Sequence, residues 1–295
     1  MPALPAQPYI LSKPYQCGLS LSFALAPSAD LAKALTRLAR DFDPRWGMVG
    51  VGEPLARKLG KPVPGLRIFP AMSAPGVGVP STQQPLWMML TAPTQGAIFD
   101  VLTRVDRLAA PDFMLVDSMP TFIYGTGRDL TGFEDGTENP KGRKAAAAAI
   151  VARGEGMKGS SFVAVQRWLH DLHHFGTLSP ARRDALIGRR HGTNEEIESA
   201  PRSSHVKRST QEDFDPPAFM VRRSMPFVAG KQNGLEFISY VARLDTFEVM
   251  MRRMAGLDRD RIADALFTFS RPVTGGYYWC PPLKRGRLDL RILGV

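Results

Sequence analysis

Hydrophobic and polar residues alternate along residues 19–23, Leu-Ser-Leu-Ser-Phe, and this period of two predicts a half-buried strand. Apolar residues at helical spacing then predict a helix over residues 29–42, with Ser28 as its N-cap. Proline and glycine punctuate residues 51–84, which indicates loops around one short strand near residues 66–69. The pattern further predicts a strand over residues 86–91, a helix over 94–108 and a strand between 113 and 124.

The second part of the chain repeats this order of elements. Residues 235–239 match the pattern of residues 86–90, and a helix of similar apolar spacing follows each of these strands. The predicted elements are strands over 162–168, 219–223 and 235–242, a helical or irregular stretch over 169–190, and helices near 247–254 and 260–267. This order predicts an α+β fold of two halves, each an antiparallel sheet covered by helices. The boundary is expected within residues 125–159.

Composition limits the class of protein. The chain has 295 residues, of which 44% are hydrophobic and 22% are charged, so wholesale disorder and a membrane-embedded class are both disfavoured. Its net charge is +10, which favours anionic partners, although a solvated basic surface explains the same charge. No recognised nucleic-acid motif accompanies this charge, so we expect no nucleic-acid partner.

The cysteines and the N-terminal segment bear on the compartment. Cys17 and Cys280 are too few for a disulfide framework, and no zinc-finger spacing is present. Residues 24–26 imitate a signal-peptidase site, but the apolar run before them is too short and Lys13 is the one basic residue that precedes it. We therefore expect a cytoplasmic protein without membrane association.

Histidine is the first candidate for chemistry. His170 and His174 are four residues apart and would share a helix face, either as metal ligands or as part of a polar helix surface. His191 lies in a loop-like stretch where solvent exposure is the default. His205, near basic residues, has a surface or a satisfied buried histidine as its alternatives.

Three further segments carry candidate residues. The stretch 132–140, Gly-Phe-Glu-Asp-Gly-Thr-Glu-Asn-Pro, concentrates acids and turn formers, and Gly136 permits a tight turn beside Asp135. In the strand of residues 219–223, alternation puts Arg222 and Ser224 on one face and Arg223 on the other. Residues 235 and 237 likewise share a strand face. Taken alone, an Asx turn and an ordinary sheet explain these segments equally well.

Together these segments resemble one family, the dye-decolourising haem peroxidases, and in particular their bacterial B-type subgroup. The segments that carry the resemblance follow in the family's order and are residues 132–140, 165–172, 204–206, 221–227 and 269–278. The resemblance covers essentially the whole chain. It implies tandem ferredoxin-like halves, residues 1–130 and 131–295, with haem b bound in the C-terminal half.

The resemblance also implies roles for individual residues. His205 would be the proximal iron ligand, Asp135 the distal acid/base and Arg222 the distal cation, while Ser224 holds a position that is Asn or Ser in the family. Asp264 is the candidate carboxylate that orients His205. The remaining implied contacts to haem are Leu235 and Phe237 as apolar distal walls, and Glu138, Asn139 and Pro140 along the porphyrin edge.

The implied activity is reduction of hydrogen peroxide and one-electron oxidation of dyes, phenolic or porphyrinogen-type substrates. Bulky reductants would donate electrons at the protein surface through Trp168, Tyr278 or Trp279, for which core packing is the alternative. A haem-binding carrier or haem-processing protein is the alternative function, although pure binding requires neither Asp135 nor Arg222. A homo-oligomer is expected, and residues 284–295 could dock onto an encapsulating shell or form an ordinary terminal strand.

Overall fold

The computed structural model of the chain describes residues 5–13 and 15–295, which form one mixed α and β structure. The strands are β1 (Cys17–Leu25), β2 (Gly47–Gly52), β3 (Met72–Ala74), β4 (Val77–Val79), β5 (Leu86–Ala92), β6 (Phe113–Phe122), β7 (Ser161–His170), β8 (Val221–Arg222), β9 (Met225–Ala229), β10 (Gln232–Val241), β11 (Ser270–Pro272), β12 (Gly276–Cys280), β13 (Leu283–Lys284) and β14 (Arg287–Leu288). The helices are α1 (Leu31–Asp41), α2 (Glu53–Lys58), α3 (Gln95–Ala109), α4 (Gly142–Ala149), α5 (Leu172–Thr177), α6 (Pro180–Ile187), α7 (His205–Ser209) and α8 (Leu244–Met254). Short 3-10 helices span Pro8–Ile10, Gln211–Asp213, Ala265–Thr268 and Arg291–Leu293.

One large antiparallel sheet organises these elements. Its strands lie in the order β6-β1-β5-β2-β12-β7-β10-β8, with β9 also paired to β10 and β11 to β7. Each half contributes four strands to this order, which along the chain are β1, β2, β5 and β6 in the first half and β7, β8, β10 and β12 in the second. In both halves these strands lie side by side as fourth, first, third and second, which is the ferredoxin-like order. A helix follows the third strand in both, α3 after β5 and α8 after β10. The prediction of tandem ferredoxin-like halves is confirmed. The division at residue 130 stays a prediction.

The two half-sheets are continuous, whereas the sequence predicts one sheet for each half. Strands β12 and β2 join them, with Tyr278 opposite Gly52 and Trp279 opposite Val51. Strand β2 is buried along its whole length, and a Cβ on Gly47 would collide with the backbone oxygen of Met89. Close strand packing therefore requires glycine here, and its glycine-rich sequence is why the pattern does not predict this strand.

Three local predictions are wrong. Asp30, not Ser28, caps α1, because its Oδ1 accepts a hydrogen bond from Lys33 N at 3.2 Å. Residues 66–69 form no strand, since the short hairpin of this region is β3–β4, at Met72–Ala74 and Val77–Val79. Residues 260–267 form no α-helix. Asp264 caps the 3-10 helix Ala265–Thr268 instead, accepting from Leu266 N at 2.8 Å.

Helices cover one face of the sheet and create the largest hydrophobic core. In the N-terminal half Leu35 and Leu38 of α1 are buried against the sheet with Ile98 and Val105 of α3. A second core, which includes Trp87, Tyr240 and Tyr278, lies on the other face of the sheet. Alternation along β7 and β10 thus sends neighbouring side chains to two different environments. No helix in residues 5–13 and 15–295 is long and apolar enough to cross a bilayer.

Candidate active site

A cavity that is partly open to solvent lies between the C-terminal half-sheet and its helices. Leu235 and Phe237 of β10 form one apolar wall, as their shared strand face predicts. Helix α8 contributes a second apolar wall made of Phe247, Met250, Met251 and Met254. A neighbouring space is lined by several of the same residues, among them Asp135, His205 and Arg222. The predicted iron ligand His205, the predicted acid/base Asp135 and the predicted cation Arg222 therefore line one cavity.

His205 is the first residue of α7 and lines both spaces. Its Nδ1 lies 2.8 Å from Oδ2 of Asp264, whose side chain is fully buried. A carboxylate accepts, so Nδ1 carries the proton and the lone pair of the neutral ring remains on Nε2. A carboxylate hydrogen-bonded to histidine in this way fixes the ring's orientation and its tautomer. The predicted pairing of Asp264 with His205 is thus present in the structure.

Asp135 and Arg222 approach the cavity from different elements. Asp135 lies in the turn before Gly136, which adopts φ of 72°, a backbone conformation that favours glycine. Arg222 lies in β8, and its backbone is held by Asn139, whose side chain accepts from Arg222 N at 2.7 Å and donates to Arg222 O at 3.0 Å. The buried Nε of Arg222 has no hydrogen-bond partner among the described residues. A guanidinium with unused donor capacity, on a backbone held by Asn139, therefore faces this space.

Arg223 points away from the cavity, as strand alternation predicts. Its guanidinium donates to the backbone oxygens of Leu11 at 2.6 Å and Ser12 at 2.9 Å. Burial lowers the pKa of Arg223 from its ordinary value. Ser224 accepts a hydrogen bond from Ile238 N at 3.3 Å and is not among the described residues that line the two spaces. A direct role for Ser224 stays a prediction.

The three predicted porphyrin-edge residues have different surroundings. Glu138 lines the neighbouring space, and its carboxylate accepts from Arg189 Nη2 at 2.6 Å. Asn139 holds the backbone of Arg222, which makes it a support for the cation. Pro140 is half-buried and is not found among the described lining residues.

Comparison with known proteins identifies the family. The model of the Dyp-type peroxidase C-terminal family matches residues 126–285, which include every residue discussed around the cavity. The chain belongs to the Dyp-type peroxidase family. The predicted family and peroxidase function are thereby confirmed.

Individual members of the family agree with this assignment. A dye-decolorizing peroxidase of Mycobacterium tuberculosis is 31% identical over 224 residues, which span 74% of this chain and 67% of that protein. The structure of DyPB from Rhodococcus jostii superposes with a TM-score of 0.86 at 27% identity, covering 95% of this chain and 97% of that one. A dye-decolorizing protein from Vibrio cholerae gives a TM-score of 0.84 at 28% identity, with 97% and 98% covered. Variants of the Rhodococcus protein have been solved in complex with haem.

Sequence analysis misses one polar group of this cavity. His170 ends strand β7 with its side chain almost fully buried, so the expected polar helix surface is wrong for this residue. Its Nε2 lies 3.0 Å from Asp129 Oδ2 and its Nδ1 lies 2.7 Å from Ser270 Oγ. His174 is exposed, and the described residues contain no group of three or more His, Cys, Asp or Glu side chains able to hold a metal ion. The long sequence separation of Asp129, His170 and Ser270 left no signal from which to find them.

Asp129 is the acidic member of this group and also lines the cavity. Burial acts to raise its pKa, but hydrogen bonds from His170 and Thr131 outweigh burial and hold the pKa below its ordinary value. Thr131 donates to Asp129 Oδ1 through its backbone at 2.8 Å and through its hydroxyl at 2.6 Å. Asp129 therefore remains a carboxylate inside the protein.

The remaining histidine and aromatic candidates are located as follows. His191 is exposed, as expected for a loop, and its ring packs edge-on against the ring of Phe133, with 5.0 Å between the ring centroids. Trp168 lines the cavity, next to Gln166 on the same strand face. Tyr278 and Trp279 are buried, so neither ring is itself a surface contact for a bulky reductant.

Proposed function

We propose that His205, Asp135 and Arg222 form the active centre of a haem-dependent peroxidase. The observation that carries this proposal is their convergence on one apolar cavity, together with the unpartnered buried Nε of Arg222. A cation left without a partner in such a place is suited to stabilise charge that develops during a reaction. Haem b is the cofactor, in agreement with the relatives that have been solved with haem.

The residues of the cavity fit a porphyrin. His205 would bind iron through Nε2, since Asp264 occupies Nδ1. The apolar walls of β10 and α8 would contact the faces and edges of the macrocycle, and Glu138 and Asn139 would lie along its edge. When bound, haem supplies the redox chemistry that reduces peroxide and then accepts electrons from a donor.

The chain's own residues manage protons and charge. Asp135 accepts a proton from one oxygen of hydrogen peroxide and returns it to the other oxygen, which leaves as water. Arg222 stabilises the negative charge that develops as the two oxygens separate. Asn139 holds the backbone of Arg222 through two hydrogen bonds and so fixes the point from which its side chain extends toward the cavity.

Dyes, phenolic compounds and porphyrinogen-type molecules are the proposed reducing substrates, each giving one electron at a time. The bulky members of this group would not fit in a cavity that also holds a porphyrin, so they would react at the protein surface. A net charge of +10 favours anionic members of this group. A carrier of haem is the less favoured function, because binding alone gives no use to Asp135 and Arg222.

Haem titration tests this proposal. Addition of haemin to the cofactor-free protein should produce a Soret band that changes on addition of peroxide. His205→Ala should abolish the stable iron ligation. The other described histidine that lines the cavity is His170, and both of its ring nitrogens are already hydrogen-bonded. His173→Ala, a substitution of an exposed histidine, serves as the control.

Two results would contradict the proposal. A His205→Ala protein with the wild-type Soret position and a five-coordinate histidine signature in resonance Raman would show that another residue binds iron. A static band in the wild-type protein on addition of peroxide would favour the carrier.

Association with other molecules is also proposed. Met114, Leu115 and Val116 of β6 are exposed, which supports a homo-oligomer that covers them, and light scattering of the purified protein tests it. Leu288, Leu290 and Leu293 are buried in the core, so the apolar side chains of residues 284–295 support a structural role better than docking onto a shell. A cytoplasmic location stays a prediction, supported by the free cysteines Cys17 and Cys280.

A further inference from the structure

A chain of hydrogen bonds crosses the wall of the cavity. It begins at Asp129, continues through both ring nitrogens of His170 and ends at the hydroxyl of Ser270, with separations of 3.0 and 2.7 Å. Strand pairing holds its middle, because Ser270 of β11 lies directly opposite His170 of β7. The imidazole is the one member that can accept a proton on one atom and release another from a second atom.

The two ends of this chain meet different spaces. Asp129 and His170 line the central cavity, where Asp135 and Arg222 are also found. Ser270 and His170 line a separate outer groove that is open to solvent, and its walls include Lys231 and Arg271. The outer groove also contains Oδ1 of Asn233, a buried acceptor with no partner in the described part of the chain. Water can enter this groove, because it is open and lined by polar side chains.

Peroxidase chemistry has a proton requirement that such a chain would meet. Reduction of one peroxide to two waters consumes two electrons and two protons. Each reductant that loses one electron and one proton at the protein surface leaves its proton outside, while the matching proton is consumed in the cavity. A surface donor therefore separates the path of the electron from the path of the proton.

We propose that Ser270, His170 and Asp129 relay protons from the outer groove to the central cavity, an inference that rests on the proposed peroxidase function. Water in the groove gives a proton to Ser270 Oγ as the serine hydroxyl gives its own to Nδ1 of His170. Nε2 of His170 then gives a proton to Oδ2 of Asp129, which releases it into the cavity. The starting tautomer is restored when the ring, which also lines the outer groove, loses its Nδ1 proton to water there and gains one from water at Nε2. No atom other than the transferred proton is gained or lost.

The charge state of Asp129 suits this role. Its hydrogen bonds from His170 and Thr131 keep it a carboxylate, so it accepts a proton only in passing. Asp129 also anchors the loop that leads to Asp135 through its backbone, which donates to Phe133 O at 2.9 Å and accepts from Gly132 N at 2.9 Å. A relay and an anchor predict different kinetics, and the difference can be measured.

The relay and the anchor can be distinguished because the steps of the reaction take up different numbers of protons. Cleavage of peroxide takes no net proton, since both of its hydrogens leave in water, whereas each reduction step takes up one. His170→Gln keeps a donor toward Asp129 but cannot transfer protons between two ring nitrogens. A relay therefore predicts slower reduction with unchanged peroxide cleavage, and an anchor predicts that both steps change together or neither does.

Stopped-flow kinetics of the haem-loaded full chain test the relay in H₂O and D₂O. The variants are His170→Gln and Ser270→Ala, and His173→Gln is the matched control on an exposed neighbouring histidine. For His170→Gln we expect reduction by a bulky dye to slow by about tenfold or more, with an increased solvent isotope effect. Ser270→Ala should act in the same direction, and the control should match wild type.

A second readout needs no cofactor. Nitrogen NMR of the histidine rings in the haem-free protein should show both nitrogens of His170 hydrogen-bonded, and Ser270→Ala should remove the bond at Nδ1. The relay is overturned if His170→Gln reduces as fast as wild type, or if it slows peroxide cleavage and reduction equally. A wild-type protein that does not react with peroxide overturns the proposed function itself, and the relay with it.

Discussion

The two halves of the molecule share one strand order but differ in what lies between sheet and helices. In the N-terminal half α1 and α3 pack directly on the sheet, and Leu35 and Leu38 are buried there. In the C-terminal half α8 holds the same place in the order as α3, yet its methionines line a cavity.

The difference originates in the connection between the first and second strand of each half. In the N-terminal half residues 26–46 make this connection with the single helix α1. In the C-terminal half residues 171–220 make it with α5, α6 and α7, and α7 begins with His205. The longer connection supplies part of the cavity lining, namely Ile187, His205 and Ser209, and so brings the histidine to the site. A site can thus be created within a repeated frame by lengthening one connection.

The largest expected effect contrasts adjacent arginines that face different regions. Arg222 faces the cavity, whereas Arg223 bonds to the backbone of Leu11 and Ser12. Arg222→Ala should slow the reaction with peroxide by a factor on the order of 10² to 10³, because it removes the cation that faces the developing charge. Asp135→Ala should slow it less, and Arg223→Ala should leave it near wild type. Stopped-flow measurement decides the order, and a slowest Arg223→Ala would reverse the face assignment.

Packing of the two helical layers provides the next test. Leu38→Ala, in the closed layer of the N-terminal half, should lower the free energy of unfolding by about 2–5 kcal/mol. Met250→Ala should cost less, because its side chain already borders a cavity and loses fewer contacts, but it should weaken haem binding. Denaturant unfolding of the haem-free protein measures both. Equal losses of unfolding free energy would mean that the two helical layers pack equally closely on the sheet.

Two buried aspartates extend the comparison to polar contacts. Asp264→Asn should weaken haem binding or activity by about 10- to 100-fold, since it removes the carboxylate that orients His205. Asp112 of the N-terminal half accepts from Arg37 at 2.7 Å and from Asp30 N at 2.8 Å. Asp112→Asn should therefore reduce stability and leave haem affinity unchanged. Haem titration with thermal unfolding separates the two effects, and loss of haem affinity in Asp112→Asn would contradict the division of roles.

The sequence predicts the frame and much of the site because both depend on local pattern. Period-two alternation identifies the strands that carry Arg222, Leu235 and Phe237, and the resemblance to peroxidases adds His205 and Asp264. Strand β2 is not predicted because its glycines are required by close contacts with residues such as Met89, which are distant in sequence. The same limit applies to His170, since its partners Asp129 and Ser270 are brought to it only by the folded sheet.

The smallest expected effect concerns the whole surface and sets a limit on the comparison of the halves. A net charge of +10 should attract anionic dyes to any part of the surface and repel cationic dyes, without distinguishing one half from the other. Because salt screens charges beyond about 10 Å at 0.1 M, the specificity constant for an anionic dye should fall by a few fold between low and high salt. The constant for a cationic dye should rise or stay constant. An anionic dye without salt dependence, together with faster oxidation of the cationic dye in every buffer, would show that local contacts near the cavity decide substrate choice. In that case the long connection of the C-terminal half would determine specificity as well as the position of His205.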